Sequence, residues 1–138
     1  MDPTHPPAEY ARVAEFRAAL RSFLRKAERN ARKAGLTPQR YLLLLMIKGS
    51  PNGSESSTVT ELAERLQLAQ STVTELVSRA EEIGLVEREQ SDSDGRVTNL
   101  RLTEEGERRL TKAFLTNEQE RQDLRAAIAH LDSDQAPA

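Results

Sequence analysis

The 138-residue chain carries a formal net charge of −2, with 37% hydrophobic residues, 30% charged residues and no cysteine. This length and composition are typical of one water-soluble globular domain with a core of its own, and they exclude an intrinsically disordered chain. The lack of cysteine excludes disulfides, thiol-based redox sensing, catalytic thiolates and iron–sulfur clusters.

No pattern in the sequence predicts a signal peptide, and the longest apolar run, Leu42 to Ile47, is far too short to cross a bilayer. We therefore expect a cytoplasmic protein. The charge is unevenly distributed, with a balance of +5 over residues 1–57, −4 over 58–103 and −3 over 104–138. The basic residues are thus concentrated in the N-terminal third.

The first predicted element is a long helix. Residues 1–8 are polar and proline-rich and are predicted to be a disordered lead-in. From Glu9 to Ala34, apolar residues recur at steps of three and four, close to a heptad spacing. They are Val13, Phe16, Leu20, Phe23, Ala27 and Ala34. A stripe of this regularity favours packing of the helix on another chain. The alternative is that the helix packs on the core of its own chain.

The second predicted helix is buried. Gly35 ends the first helix, Thr37 is placed to cap the next one, and Pro38 stands at its first position, where the missing N–H has no cost. The following YLLLLMIK is apolar almost all round, which indicates a central helix that ends at Gly49. Residues 50–57 show no periodicity and are predicted to form a flexible loop.

Two short helices follow with a tight connection between them. Thr58 and Glu61 have capping-box spacing at the start of the first, which runs to Leu66. The second is predicted over 70–83. Its inward positions are Val73, Leu76, Val77 and Ala80. Its outward positions are Ser71, Glu75, Ser78 and Glu82, flanked by Thr72, Thr74 and Arg79. This arrangement indicates a helix-turn-helix.

A β-hairpin and two further helices complete the chain. Residues 85–90 and 97–102 alternate in polarity around the tip SDSDGR, which predicts a hairpin with a long tip. Thr103 is predicted to cap a helix whose apolar side holds Leu110, Phe114 and Leu115. Asn117 and Glu120 have the spacing of a second capping box. The last helix has its apolar stripe at Leu124, Ala127, Ile128 and Leu131, and residues 132–138 are predicted to be a disordered tail.

A helix-turn-helix followed directly by a hairpin predicts a mainly α winged-helix fold. The second helix of such a pair fits the DNA major groove, and its N-terminal residues reach base edges. Glutamine pairs with adenine, serine and threonine pair with several bases, and glutamate accepts from cytosine N4. The candidate DNA contacts on this helix are Gln70, Ser71, Thr72, Thr74 and Glu75.

The hairpin tip offers a second candidate contact. Arg96 would enter a minor groove, where the potential is strongly negative, and Asp94 could hold its side chain by a charge-assisted hydrogen bond. As an alternative, both are ordinary turn residues on a solvated loop.

Over residues 10–131 the sequence strongly resembles the MarR family of bacterial transcription regulators. The resemblance is carried by TVTELAERLQLAQSTVTELVSRAEEIGLVERE, by DSDGR and by LRLTEEGERRL, with the Asp-x-Arg and Leu-Thr-x-x-Gly elements as the more specific parts. It implies that Ser71, Thr72 and Thr74 lie on the reading helix. It implies that Asp94 and Arg96 lie on the wing. It also implies that Arg79 and Arg88 brace the wing or touch the DNA backbone.

The resemblance further implies one winged-helix domain over residues 9–131 that works as a homodimer. Residues 58–103 would form the DNA-binding lobe, and 9–34 and 104–131 the dimerisation helices. The expected function is that of a repressor on a palindromic operator, released by a small aromatic or phenolic effector. Two-fold symmetry predicts half-sites about 34 Å apart.

Three positions depart from the family pattern. Glu75 stands where a basic or polar residue is common, Ala69 where a capping residue is usual, and Gly95 where a second wing arginine is frequent. These departures and the acidic 58–103 segment predict modest DNA affinity, and they favour one alternative function, a winged helix used for protein–protein contact. Arg32, Lys33 and Arg40 could compensate for the missing charge. Neither an enzyme nor a metal or cofactor site is expected. The sequence has no cysteine, no glycine-rich phosphate loop and no paired acid cluster at metal spacing, and its only histidines, His5 and His130, lie near opposite ends.

Overall fold

A computed structural model of the chain describes residues 7–90 and 97–133. The elements are α1 (Pro7–Lys33), α2 (Pro38–Lys48), α3 (Val59–Leu66), α4 (Gln70–Glu82), β1 (Val86–Gln90), β2 (Thr98–Leu102), α5 (Glu104–Thr116) and α6 (Glu118–Leu131). This order confirms the predicted mainly α architecture with one hairpin. Within the two described ranges, no helix has both the length and the apolar character needed to cross a membrane.

Three threonines start three of the helices as predicted. The Thr37 hydroxyl accepts the backbone N–H three residues on, at 3.1 Å, and the Thr103 hydroxyl does the same at the start of α5. At α3 both halves of the capping box form, since the Thr58 hydroxyl accepts from the Glu61 N–H at 3.2 Å and the Glu61 carboxylate accepts from the Thr58 N–H at 2.8 Å. Each bond satisfies a donor that the helix itself leaves unpaired.

Helix α2 lies at the centre of the core, as its apolar sequence predicted. Its side chains Leu43, Leu44 and Ile47 are fully buried, and the helix packs against α1, α3, α4, α5 and β2. The same core cluster includes the fully buried side chains Leu62, Val73, Val77, Leu85 and Leu100.

The hairpin is antiparallel, with Val86 opposite Leu102 and Gln90 opposite Thr98. Residues 50–57 form a loop, as predicted, whose last residue is joined to this hairpin. Ser57 exchanges two backbone hydrogen bonds with Leu100, at 3.2 and 2.8 Å, and is itself buried. Ser57 therefore forms an isolated bridge to β2, which the polar sequence of the loop does not indicate.

An ion-pair cluster fastens the same loop to the helices. The Lys48 ammonium lies 2.8 Å from the Glu55 carboxylate and 2.9 Å from the Glu107 carboxylate, which joins α2, the loop and α5. The hydrogen bond to Glu55, followed by that to Glu107, raises the pKa of Lys48, and the bond from Lys48 lowers the pKa of Glu55. The C-terminal part of the loop is thus held by an ion pair at Glu55 as well as by the backbone bonds of Ser57.

Helix α5 approaches the hairpin closely at Gly106. The Thr103 N–H donates to the Leu85 carbonyl at 3.0 Å and brings the first turn of α5 against the start of the hairpin. A Cβ atom at Gly106 would lie 2.1 Å from that carbonyl oxygen. Only glycine fits this contact, which gives a physical reason for the glycine of the Leu-Thr-x-x-Gly element.

The terminal helices differ from their predicted boundaries and faces. Helix α1 begins at Pro7, two residues before the predicted Glu9, and it packs along α6. The inner side of α5 consists of Gly106, Leu110 and Ala113. Phe114 and Leu115 were predicted on that side, but both are exposed. The prediction was wrong because the helix turns these two residues away from α2.

The predicted capping box at Asn117 is also wrong. Asn117 stands at the start of α6, but its side chain makes no capping bond there and is only 1% exposed. Its amide oxygen instead accepts from Asn30 Nδ2 of α1 at 2.6 Å, and its Nδ2 donates to the Tyr41 hydroxyl of α2 at 3.4 Å. Asn117 therefore joins α1, α2 and the α5–α6 junction through a buried polar cluster.

Candidate nucleic-acid interface

Helix α4 is set on the core by its connection to α3. Gln67, at the end of α3, adopts the left-handed conformation with φ 59, and its side chain donates to the Glu64 carbonyl at 2.9 Å. The Gln70 amide donates to the Thr60 hydroxyl at 3.2 Å and ties the N-terminus of α4 to α3. Ala69 offers no side-chain acceptor at the N-cap of α4, as its sequence position indicated.

Helix α4 buries one face and exposes the other, as predicted. Val73, Val77 and Ala80 are buried against the core. The candidate DNA contacts on the N-terminal half of the helix are all exposed, namely Gln70, Ser71, Thr72, Thr74 and Glu75. The fold thus brings a short row of uncharged polar side chains, followed by one carboxylate, to a single convex surface.

The charged residues of this surface form a pair. Arg79 Nη2 lies 3.2 Å from Glu75 Oε1, four residues earlier on the helix, and both side chains are more than half exposed, at 61% and 67%. Arg79 is therefore engaged within its own helix. The spacing of four residues is a sequence signal from which this pair could have been predicted.

A shallow groove runs beside α4. Its other wall is the start of α2, where Thr37, Pro38, Gln39 and Arg40 face the side of α4 that carries Thr72, Glu75, Leu76 and Arg79. Arg40 was expected only as a charge that could compensate for the acidic segment, and Thr37 and Gln39 were not expected beside α4. Local spacing gives no signal for this contact, since more than thirty residues separate its two walls.

Arg88 joins the hairpin to α4. Its Nε donates to Glu81 Oε1 at 2.8 Å, so a side chain of β1 is held by the last turn of α4. Arg101 of β2 lies 3.5 Å from the Glu89 carboxylate across the hairpin and donates to the Ser54 carbonyl at 3.0 Å. Arg88 therefore joins β1 to α4, and Arg101 joins β2 to the loop before α3, while the bracing role of Arg88 stays a prediction.

The two wing residues lie outside the described residues. Asp94 and Arg96 were expected at the hairpin tip, between the end of β1 at Gln90 and the start of β2 at Thr98. Their roles stay predictions.

Comparison with known proteins agrees with this architecture. A model of the MarR family matches residues 34–97. The HTH-type transcriptional repressor MdtR of Bacillus subtilis is 37% identical over 75 residues, which cover 54% of this chain and 46% of that protein. The match thus spans about half the length of the curated relatives found.

Solved structures share the fold over a larger part of the chain. A mutant of MarR from E. coli complexed with operator DNA superposes with a TM-score of 0.67 and 20% identity, covering 84% of each chain. The PcaV transcriptional regulator from Streptomyces coelicolor, in complex with its natural ligand, has a TM-score of 0.53 and 30% identity, covering 65% of this chain and 61% of PcaV. With its helix-turn-helix, its hairpin and its flanking helices in this order, the chain shares the winged-helix fold of these solved structures, and residues 34–97 are similar to the MarR family.

Proposed function

We propose that this protein is a sequence-specific DNA-binding transcription regulator that acts as a homodimeric repressor in the cytoplasm. The observation that carries the proposal is the surface of α4. It presents Gln70, Ser71, Thr72, Thr74 and Glu75 to solvent while its opposite face is fixed in the core. A rigid helix with small polar side chains at its N-terminal end suits the major groove, which is wide enough to admit it.

The comparisons support the same function. MdtR and IacR are both named as transcriptional repressors, and the MarR structure cited above was solved on operator DNA. The expected wing contact by Arg96, held by Asp94, belongs to the proposal. Arg79 and Arg88 then have indirect roles, because both side chains are engaged with carboxylates of α4.

The terminal helices support a homodimer. None of the residues of α6 is buried, although Leu124, Ala127, Ile128 and Leu131 form an apolar stripe. Val13 and Leu24 of α1 and Ile128 of α6 are each nearly half exposed, at 46%, 48% and 47%. Large apolar side chains exposed on two helices that pack along each other favour a surface that a second chain covers. A second copy would cover them with the same helices, since a two-fold interface is self-complementary.

The expected effector is a small aromatic or phenolic molecule bound between the dimerisation helices and the DNA-binding lobe. Its support is the family resemblance, together with the solved complex of PcaV with its natural ligand. Ligands of this class should be screened by their ability to release the protein from DNA.

One observation favours a second function. Residues 58–103 carry a net charge of −4, which opposes binding to a polyanion and suits a winged helix that docks on another protein. The two functions differ in their dependence on salt, because DNA binding releases counterions and most protein docking does not.

The test begins with selection of binding sequences from a randomised duplex pool, followed by fluorescence anisotropy on the selected duplex over a range of salt concentrations. We expect a palindromic sequence and an affinity that falls steeply with salt. Thr72→Ala and Arg96→Ala should each weaken binding about tenfold. The matched control is Glu82→Gln, which changes an exposed residue at the far end of α4. Binding with no preference over random DNA would overturn the proposal in favour of the docking module.

A further inference from the structure

The reading helix has no net charge on its exposed face from Gln70 to Arg79. Its first five residues, QSTVT, are uncharged, and the next two charged side chains, Glu75 and Arg79, neutralise each other at 3.2 Å. A carboxylate on a surface that meets phosphates is unfavourable unless it gains a specific partner. Glu75 therefore requires an explanation beyond solubility.

The Glu75 carboxylate is accessible from solvent although it is paired with Arg79. Its Oε1 is engaged by Arg79 Nη2, and its side chain is two-thirds exposed, at 67%. Glu75 lies one turn beyond Ser71 and Thr72, and it lines the groove beside α4 together with Thr72 and Arg40. A duplex docked on α4 would meet the carboxylate directly after these hydroxyl side chains.

The chemistry of a carboxylate restricts what it can read. An ionised carboxylate only accepts hydrogen bonds, so it can satisfy only an amino group in the major groove, on cytosine N4 or adenine N6. The adenine amino group is flanked on both sides by acceptors, N7 of its own base and O4 of the paired thymine, which repel a carboxylate. The cytosine amino group has an acceptor, guanine O6, on one side only. Of the four base pairs, C·G thus offers a carboxylate the most favourable edge.

We propose that Glu75 determines one C·G pair in each half-site by accepting from cytosine N4, with Arg79 as its positioning residue. This inference rests on the proposed function. Arg79 holds the Glu75 carboxylate in one orientation. Its positive charge also offsets the repulsion between that carboxylate and the DNA phosphates, so the pair enters the groove without net charge. The recognition helix then contributes base discrimination and little of the salt-dependent affinity.

Two substitutions at Glu75 should change base preference in different ways. Glu75→Gln should change the preferred pair from C·G to A·T, because glutamine is bidentate to adenine N6 and N7. Glu75→Ala should remove the preference at that position and also strengthen binding to random DNA. It releases Arg79 to contact a phosphate, which makes the slope of log affinity against log salt steeper by about 0.9.

The experiment repeats the selection from a randomised duplex pool with the wild type, Glu75→Gln and Glu75→Ala, using Glu82→Gln as the matched control. Affinities are then measured by anisotropy on duplexes that differ only at the selected pair. We expect about tenfold discrimination for C·G by the wild type, a reversed preference for Glu75→Gln, and no preference for Glu75→Ala. The control should select the wild-type sequence.

Arg79 is tested separately. Arg79→Gln should lower both the affinity and the C·G discrimination, and Arg79→Lys should restore most of the affinity, because a cation again offsets the carboxylate. Enrichment of one sequence by all variants alike would overturn the inference and leave the proposed function standing. Failure of the wild type to enrich any sequence would overturn both.

Discussion

The winged-helix lobe, which comprises α2, the loop before α3, α3, α4 and the hairpin, differs in construction from the terminal helices α1 and α6. In the lobe, α2, α3, α4 and the hairpin enclose a set of fully buried aliphatic side chains, and the loop before α3 is tied in by backbone and ion-pair contacts. In the terminal pair, α6 buries none of its own residues and α1 leaves Val13 and Leu24 half exposed. The core of the lobe is therefore closed by buried side chains, whereas the terminal helices leave apolar side chains exposed.

A buried polar cluster joins these two regions of the molecule. The buried Asn30–Asn117–Tyr41 cluster lies where the two regions meet and fixes their relative orientation through directional hydrogen bonds. A packed aliphatic contact at this place would allow more sliding than a hydrogen-bonded one. The distance between the two reading helices of a dimer depends on this orientation.

The largest loss of stability is expected from a substitution that disrupts the contact between the lobe and α5. Gly106→Ala places a Cβ 2.1 Å from the Leu85 carbonyl, so either the hairpin or the helix must move. We expect a loss of about 3 kcal/mol or more in the free energy of unfolding, measured with urea. Gly53→Ala is the control, because nothing lies within 4 Å of the added carbon and its cost is limited to the left-handed backbone, about 1 kcal/mol. Equal losses for the two variants would contradict the close contact.

A smaller effect is expected at the boundary between the two regions. Asn117→Ala removes the acceptor of the buried Asn30 amide and should cost about 1–3 kcal/mol in the free energy of unfolding. Replacing both asparagines with leucine removes donor and acceptor together and should recover most of that loss. If the double variant were as unstable as the single one, packing rather than hydrogen bonding would explain the site.

The apolar surface of the terminal helices gives the third prediction. Ile128→Glu should raise the dissociation constant of the homodimer at least about tenfold, because a charge would enter an apolar interface. The control is Ile83→Glu in the lobe, where the isoleucine is similarly exposed, at 44% against 47%. Analytical ultracentrifugation measures both. A monomeric wild type, or equal effects of the two variants, would refute the proposed interface.

The smallest effect concerns pH. Hydrogen bonds from Lys48 lower the pKa of Glu55, and those from Arg108 and then Arg109 lower the pKa of Glu105, both below the ordinary value of 4.5. Since the folded-state values are depressed, these carboxylates stabilise the fold above pH 4.5, and their contribution is lost as pH falls through the folded-state values.

Urea midpoints measured on either side of that value test this prediction. The wild type should lose more of its stability between about pH 6 and about pH 3 than the double variant Glu55→Gln, Glu105→Gln, in which the two groups no longer titrate. Parallel pH profiles for the two proteins would show that these ion pairs contribute nothing to the fold. The effect is expected to be modest, because exposed ion pairs are screened by solvent.

The sequence by itself determined the order of the elements and the start of most helices. Thr37, Thr58 and Thr103 act within three residues of themselves, the apolar run of α2 predicts its burial, and apolar periodicity shows which face of α4 is buried. The exposed reading face of α4 follows from the same periodicity. These features depend on local backbone chemistry and on the helical repeat, both of which a single sequence carries.

The tertiary structure decided what depends on residues far apart in the chain. The spacing of Asn117 predicts a helix cap, but its side chain is buried and accepts a hydrogen bond from Asn30, 87 positions earlier. Ser57 of the polar loop before α3 pairs with β2 because Leu100 offers it two backbone hydrogen bonds. Glycine is required at position 106 because the Leu85 carbonyl oxygen lies where a Cβ would be. Local spacing does not encode such partners, since each contact exists only after the intervening helices have packed.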